Sequence, residues 1–292
     1  MIDSLPTFHY YPFETLSACY NYALQRKTYP ITPYIPQKRT MNTSHNKIIP
    51  LAEGEALALF ALTLCSQAFL LLLGCILCMV SYGISTGDWF DATIGLVWIQ
   101  PIANSLTVFP IPISVAIGCA SAIIFFAIVW INERRASKTE AGRQSIKAAR
   151  QGIDGELPRL PLLALVVLFV LIGFIEELLF RYAIFNLVDV LFSQLLPAPL
   201  VLAVALLVSS LAFCLAHTRY QNLSTAAVVL AMGLLFGAVF AATNSLAIVA
   251  IAHGLYDFAV IIRKRFQIRR DPNYFDGKIP TRVLLNENEK PR

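Results

Sequence analysis

Residues 172–181 read I-G-F-I-E-E-L-L-F-R, and these ten letters decide the fold. Around them the chain is apolar for about a helix length on each side, yet Glu176, Glu177 and Arg181 fall within six residues of one another. An ionisable group at bilayer depth costs roughly 2.5–3.5 kcal/mol on insertion scales, so three so close together need partners or a function. On an α-helix Glu177 and Arg181 lie four apart on one face and can pair. Glu176 points about 100° away. That geometry divides the stretch into a structural pair and a carboxylate aimed elsewhere, and burial without a fixed counter-charge would make Glu176 a general base.

The setting supports reading the stretch as a membrane helix. Of 292 residues, 57% are hydrophobic and only 14% charged, a balance outside that of ordinary soluble domains. Apolar segments long enough to cross roughly 30 Å of hydrocarbon recur from residue 56 onward. They lie at residues 56–81, 113–131, 161–190, 200–217, 223–242 and 245–262. The expected fold is all-α, a polytopic transmembrane helical bundle of about six to eight spans. Residues 93–112 are ambiguous, because Trp98, Gln100, Pro101, Asn104, Pro110 and Pro112 suit a broken or interfacial segment as well as a span.

Four regions follow. Residues 1–50, with Pro6, Pro12, Pro30, Pro33 and Pro36 and no sustained period, read as a flexible tail. This tail has no apolar core of a secretory signal, and the stretch that leads into the first span opens at Met41. Residues 51–159 hold the first transmembrane segments and a basic loop. Within that loop, residues 134–150 suit a surface helix. Residues 160–263 form the core helices, and residues 264–292 a second tail. The loop carries Arg134, Arg135, Lys138, Arg143, Lys147, Arg150 and Arg159, which the positive-inside rule places in the cytoplasm. If residues 93–112 do not cross, the six spans put every basic cluster on that side and both termini in the cytoplasm.

The net charge of +5 is spread among acidic residues and has no basic-aromatic platform, so no nucleic-acid partner is expected. The expected partner is the lipid bilayer. Five of six cysteines fall inside apolar segments, and Cys75 with Cys78 reads as helix packing in place of redox chemistry.

Two later spans carry costly residues of their own. Residues 209–217 read S-S-L-A-F-C-L-A-H, with Phe213 and His217 four apart. Residues 252–258 read A-H-G-L-Y-D-F, with His253 and Asp257 side by side deep in the last span. The other two histidines, His9 and His45, lie in the tail. Between the motifs, Gly233 and Gly237 form a G-x-x-x-G that would draw the helices bearing His217 and His253 together. Convergence of three such spans on one chamber would place a carboxylate and imidazoles where they could activate water and stabilise an oxyanion. The same Glu176, His217 and His253 form a His₂Glu set able to bind zinc with an open position. Both versions lead to amide hydrolysis within the membrane.

The order E-E-x-x-x-R, F-x-x-x-H and H-x-x-x-D, each on its own span, resembles the CPBP family of intramembrane proteases (CAAX protease and bacteriocin-processing, also called Abi). The resemblance covers residues 160–262. It implies a helical bundle with a membrane-embedded site opening to the cytoplasm, and endoproteolysis of a membrane-anchored or lipid-tailed protein or peptide. By motif, Glu176 and His217 would activate water, while His253 and Asp257 would stabilise the oxyanion. Glu177, Arg181 and Phe213 would support them. Many members have Asn where this chain has Asp257, and a charged carboxylate is a poor oxyanion donor, so Asp257 could instead orient His253. No obligatory cofactor is expected, zinc remaining the alternative. Two other readings compete: a non-catalytic membrane scaffold that keeps these residues for packing, and a transporter with a proton relay, for which no internal repeat is evident.

Overall fold

The computed structural model describes residues 51, 53–150, 153–217, 223–271 and 274–275. The amino-terminal tail, Met41, Arg219 and residues 276–292 lie outside the described residues. Those described form helices and turns, with no strand among them. The helices are α1 (Glu53–Thr86), α2 (Ile99–Leu106), α3 (Ile111–Ala136), α4 (Glu140–Arg150), α5 (Leu162–Phe192), α6 (Ala198–Ala216), α7 (Leu223–Thr243) and α8 (Leu246–Arg270). Among the described residues six are long and apolar enough to cross a membrane: α1, α3, α5, α6, α7 and α8.

Residues 93–112 do not supply a seventh. They run from a π turn at Asp91–Gly95 through α2, whose eight residues extend only about 12 Å. Pro110 and Pro112 then open α3, where the amide hydrogens that proline lacks would have no helical partner. Ser105 of α2 docks this segment on the α7–α8 turn, its Oγ donating to Asn244 O and accepting from Leu246 N, both at 3.1 Å. Asn244 takes φ +48° to make that turn, a conformation Asn tolerates better than most residues. The expected surface helix is shorter than its sequence suggested. Arg134 and Arg135 continue α3 to its end, and a separate α4 begins at Glu140.

The bundle is organised around α5 and α8, and glycine sets how closely they approach. A Cβ on Gly173 would stand 2.6 Å from Ala250 O, and one on Gly254 would stand 2.6 Å from Phe169 O. Only hydrogen fits at either crossing, so the two backbones touch. The G-x-x-x-G pair acts elsewhere: Gly233 faces Ser210 and Gly237 faces Leu206, so it seals α7 against α6, the His217 helix. The His253 helix is instead fastened by Gly173 and Gly254. Gly254→Ala is therefore expected to push α8 off α5 at a cost of about 1–3 kcal/mol, read as a lower melting temperature in detergent. A variant with unchanged melting would show that the crossing is not tight.

Polar anchors hold one end of the bundle. Arg263 of α8 pairs with Glu133 at the end of α3. Arg265 Nη1 donates to Pro158 O at 2.9 Å and Leu160 O at 2.6 Å, tying α8 to the start of α5. Arg134 lies over the Trp130 ring at 4.2 Å. Arg159, at the same end, is buried; burial pushes its guanidinium pKa down while Glu55 and Glu156 pull it back up. Elsewhere large apolar side chains such as Ile123, Leu163, Val170 and Leu200 are exposed on the helix faces, as a lipid-facing surface requires. Cys78 is buried in the packed core and Cys75 is a free thiol, in line with a packing role.

Candidate active site

The site grows from an irregularity in α5. Its α-helical turns end at Glu177, and Leu178–Ala183 form a π turn before regular helix resumes at Ile184. A π turn accommodates about one extra residue and disturbs the regular carbonyl ladder. Ser209 of α6 reaches across to one of these carbonyls, its Oγ donating to Phe180 O at 2.6 Å. On the other side α1 lies against the turn, with Gly74 facing Leu179.

Within this turn Arg181 is wholly buried, and its Nε stands 3.2 Å from Glu177 Oε2. Its Nη2 donates to Gly233 O of α7 at 3.2 Å, and the guanidinium lies 4.4 Å above the Phe213 ring and 5.3 Å from that of Phe236. A fully buried cation thus meets a carboxylate, a carbonyl and two aromatic faces. The expected Glu177–Arg181 pair is present, and Glu177 has a second partner. Its Oε1 accepts from His253 Nδ1 at 2.6 Å, the length of a charge-assisted hydrogen bond. Glu177 therefore joins the Arg181 cluster to the His253 helix.

Glu176 faces away from that pair, as the helical offset requires, and is also buried. Its Oε2 stands 3.7 Å from His217 Nε2 and 4.0 Å from His253 Nε2. That oxygen accepts no hydrogen bond among the described residues. The other oxygen, Oε1, accepts from Gln67 Nε2 of α1 at 3.2 Å. His217 ends α6, and its Nδ1 donates to Phe213 O at 2.8 Å. With Nδ1 engaged in this way, Nε2 is the ring nitrogen that faces Glu176.

His253 is held on every side. Its ring stacks on Phe236 at 4.7 Å, and Phe213 meets it edge-on at 5.9 Å. Nδ1 is bound by Glu177, and Nε2 lies 3.4 Å from Asp257 Oδ2. Asp257 is the more open of the two, its side chain 27% exposed, while His217 is 29% exposed. Phe213 is buried between the histidines, its ring 4.3 Å from that of His217.

All seven residues singled out by sequence thus meet in one cluster: Glu176, Glu177, Arg181, Phe213, His217, His253 and Asp257. Sequence reasoning missed the parts that are ordinary by composition. Phe236 is one aromatic residue among many, and only its stacking marks it. Ser209 belonged to a noted polar stretch but had no assigned task. Gln67 had a signal, being the only charged or amide residue between Glu55 and Asp88.

The separations also bear on zinc. A tetrahedral zinc holds its donors at about 2.1 Å, hence about 3.4 Å from one another. The 3.7 and 4.0 Å gaps at Glu176 are wider. Among the described residues no three His, Cys, Asp or Glu side chains are grouped so that they could hold a metal ion. The Glu176, His217 and His253 set, as arranged, does not form a closed zinc shell.

Comparison with known proteins bears on the segment that carries the cluster. Residues 158–259 match the family model described as type II CAAX prenyl endopeptidase Rce1-like, the family that the three motifs resemble. The match spans all three motifs and leaves α1 to α4 outside. No curated protein and no solved structure matches the chain. With its six apolar helices and this match, the chain is an integral, multi-pass membrane protein.

Proposed function

We propose that this chain is an intramembrane endopeptidase that hydrolyses a peptide bond of a lipid-tailed or otherwise membrane-anchored substrate. One observation carries the reading: a buried carboxylate oxygen, Glu176 Oε2, faces two imidazole nitrogens, at 3.7 and 4.0 Å, inside an apolar bundle. A water received there can donate one hydrogen to Glu176 and the other to His217 Nε2. Glu176 takes a proton as the water oxygen attacks the scissile carbonyl carbon. The carbonyl π electrons move to oxygen, and that oxyanion receives a hydrogen bond from His253 Nε2. Glu177 at Nδ1 and Asp257 near Nε2 keep the ring as a doubly protonated donor. This assigns Asp257 to orienting His253. Collapse of the intermediate breaks the C–N bond, and the proton held by Glu176 passes to the leaving nitrogen. The products are a shortened protein with a new carboxylate and a released peptide with a new amine.

The bundle favours approach from the end where α6 finishes. His217 and Asp257 are its partly exposed members, and the Arg134, Arg159, Arg263 and Arg265 anchors lie at that end. By the positive-inside rule that end is cytoplasmic, where a lipid-tailed peptide can lie along the membrane surface.

The test is cleavage of a prenylated peptide by the purified chain in proteoliposomes, followed by mass spectrometry. Cleavage is expected to survive exhaustive chelation and to fall by about 10²–10⁴-fold in His217→Ala, the range for removing a general acid–base partner. Wild-type rates in His217→Ala would remove His217 from the chemistry. Loss on chelation with recovery on adding zinc would replace this mechanism by a metal-based one.

A further inference from the structure

Glu176 is anchored from outside the family-matched segment. Gln67 lies midway along α1, is 5% exposed, and donates from Nε2 to Glu176 Oε1 at 3.2 Å. Its neighbours on α1 are apolar or small, and its own Oε1 is buried without a hydrogen-bond partner among the described residues. A buried amide left half-satisfied costs more than an apolar residue of the same shape, so packing alone does not account for it. What the amide does achieve is geometric. A carboxylate on a flexible side chain can turn either oxygen toward the histidines and swing about χ3. The Gln67 donor engages one oxygen and leaves the other facing His217 and His253.

We infer that Gln67 is a positioning residue that holds the Glu176 carboxylate in its reactive orientation, so that α1 completes a catalytic site otherwise built by α5, α6 and α8. This rests on the proposed role of Glu176 as base. α1 is shaped for the task, since Gly74 lets it settle against the π turn with Leu179 Cα 3.5 Å from where a Cβ would stand. A misplaced base loses rate while substrate affinity is unaffected, because the substrate need not touch Gln67.

The experiment compares the intact chain with Gln67→Met, which keeps length and volume but has no donor, and with Gln67→Asn, whose amide is one methylene too short. Each is assayed on the prenylated peptide in proteoliposomes, alone and combined with Glu176→Asp. Glu176→Gln runs beside them. Both Gln67 variants are expected to lower kcat by about 10- to 100-fold with KM within about twofold, the scale of one hydrogen bond to a charged group. In the Glu176→Asp background, where the shortened carboxylate lies beyond the amide, the same substitution is expected to change kcat little. A merely structural role would give the same factor in both backgrounds. Wild-type kcat in both Gln67 variants, or equal factors in both backgrounds, overturns the inference while leaving the Glu176 reading intact if Glu176→Gln is inactive. An active Glu176→Gln overturns both.

Discussion

Glu176→Gln is expected to reduce cleavage of a lipidated peptide by at least about 10³-fold while the protein still folds and inserts. The amide has the carboxylate's shape, so the contact with Gln67 and the packing of α5 against α8 persist. What disappears is the carboxylate oxygen that stands beside both Nε2 atoms and takes the proton from water. A base removed in this way costs about 10²–10⁴-fold, and reorienting the residual site adds to it. The measurement is kcat/KM in proteoliposomes, with the melting temperature in detergent recorded in parallel. Retention of even a tenth of the activity by a correctly folded variant would take Glu176 out of the reaction.

Arg181→Met is expected to act on the fold instead, destabilising it by about 3–5 kcal/mol, because it removes one partner of a buried ion pair and leaves the Glu177 charge with His253 alone. Both side chains are wholly buried, so water does not screen the loss. His253 Nδ1 would then be the remaining polar partner of Glu177. Arg181→Lys is expected to recover only part of the stability, since an ammonium lacks the planar fork that reaches Glu177 and Gly233 O while lying over Phe213. The double variant Arg181→Met with Glu177→Gln is expected to melt closer to wild type than Arg181→Met alone, because that buried charge is gone. Melting curves for the four proteins check this, and a wild-type curve for the Met single variant would contradict it.

Much of the site was legible because charge in a hydrocarbon setting is conspicuous. Glu177 and Arg181 could be paired from their spacing, and Glu176 separated from them, before any contact was known. His217 and His253 stood out through the scarcity of histidine in the spans. The prolines in residues 93–112 weakened that segment as a span, and they lie in or just before the first turns of α2 and α3. Other features were hidden for physical reasons. A G-x-x-x-G announces a close contact but not its partner, and here the partner is α6, while the α5–α8 crossing uses two lone glycines from different motifs. Gln67 gains its meaning from a residue 109 positions away, a relation that no local period records. The double use of Glu177 was likewise invisible, since Arg181 alone satisfied the helical arithmetic.

The π turn at Leu178–Ala183 makes residue count part of the chemistry. In a uniform α-helix the stretch after Glu177 would progress around the axis at a fixed rate, and the face that carries the carboxylates would dictate where Arg181 and the following turn point. The wider turn introduces a phase lag. The carboxylate-bearing half of α5 can thus look toward α8 while Arg181 still reaches the α7 backbone and Val188 packs beside Val201 and Ala205 of α6. One helix serves two neighbourhoods because its angular clock is reset between them, so chain length between Glu177 and Ile184 is constrained as tightly as the identity of the charged residues that flank it.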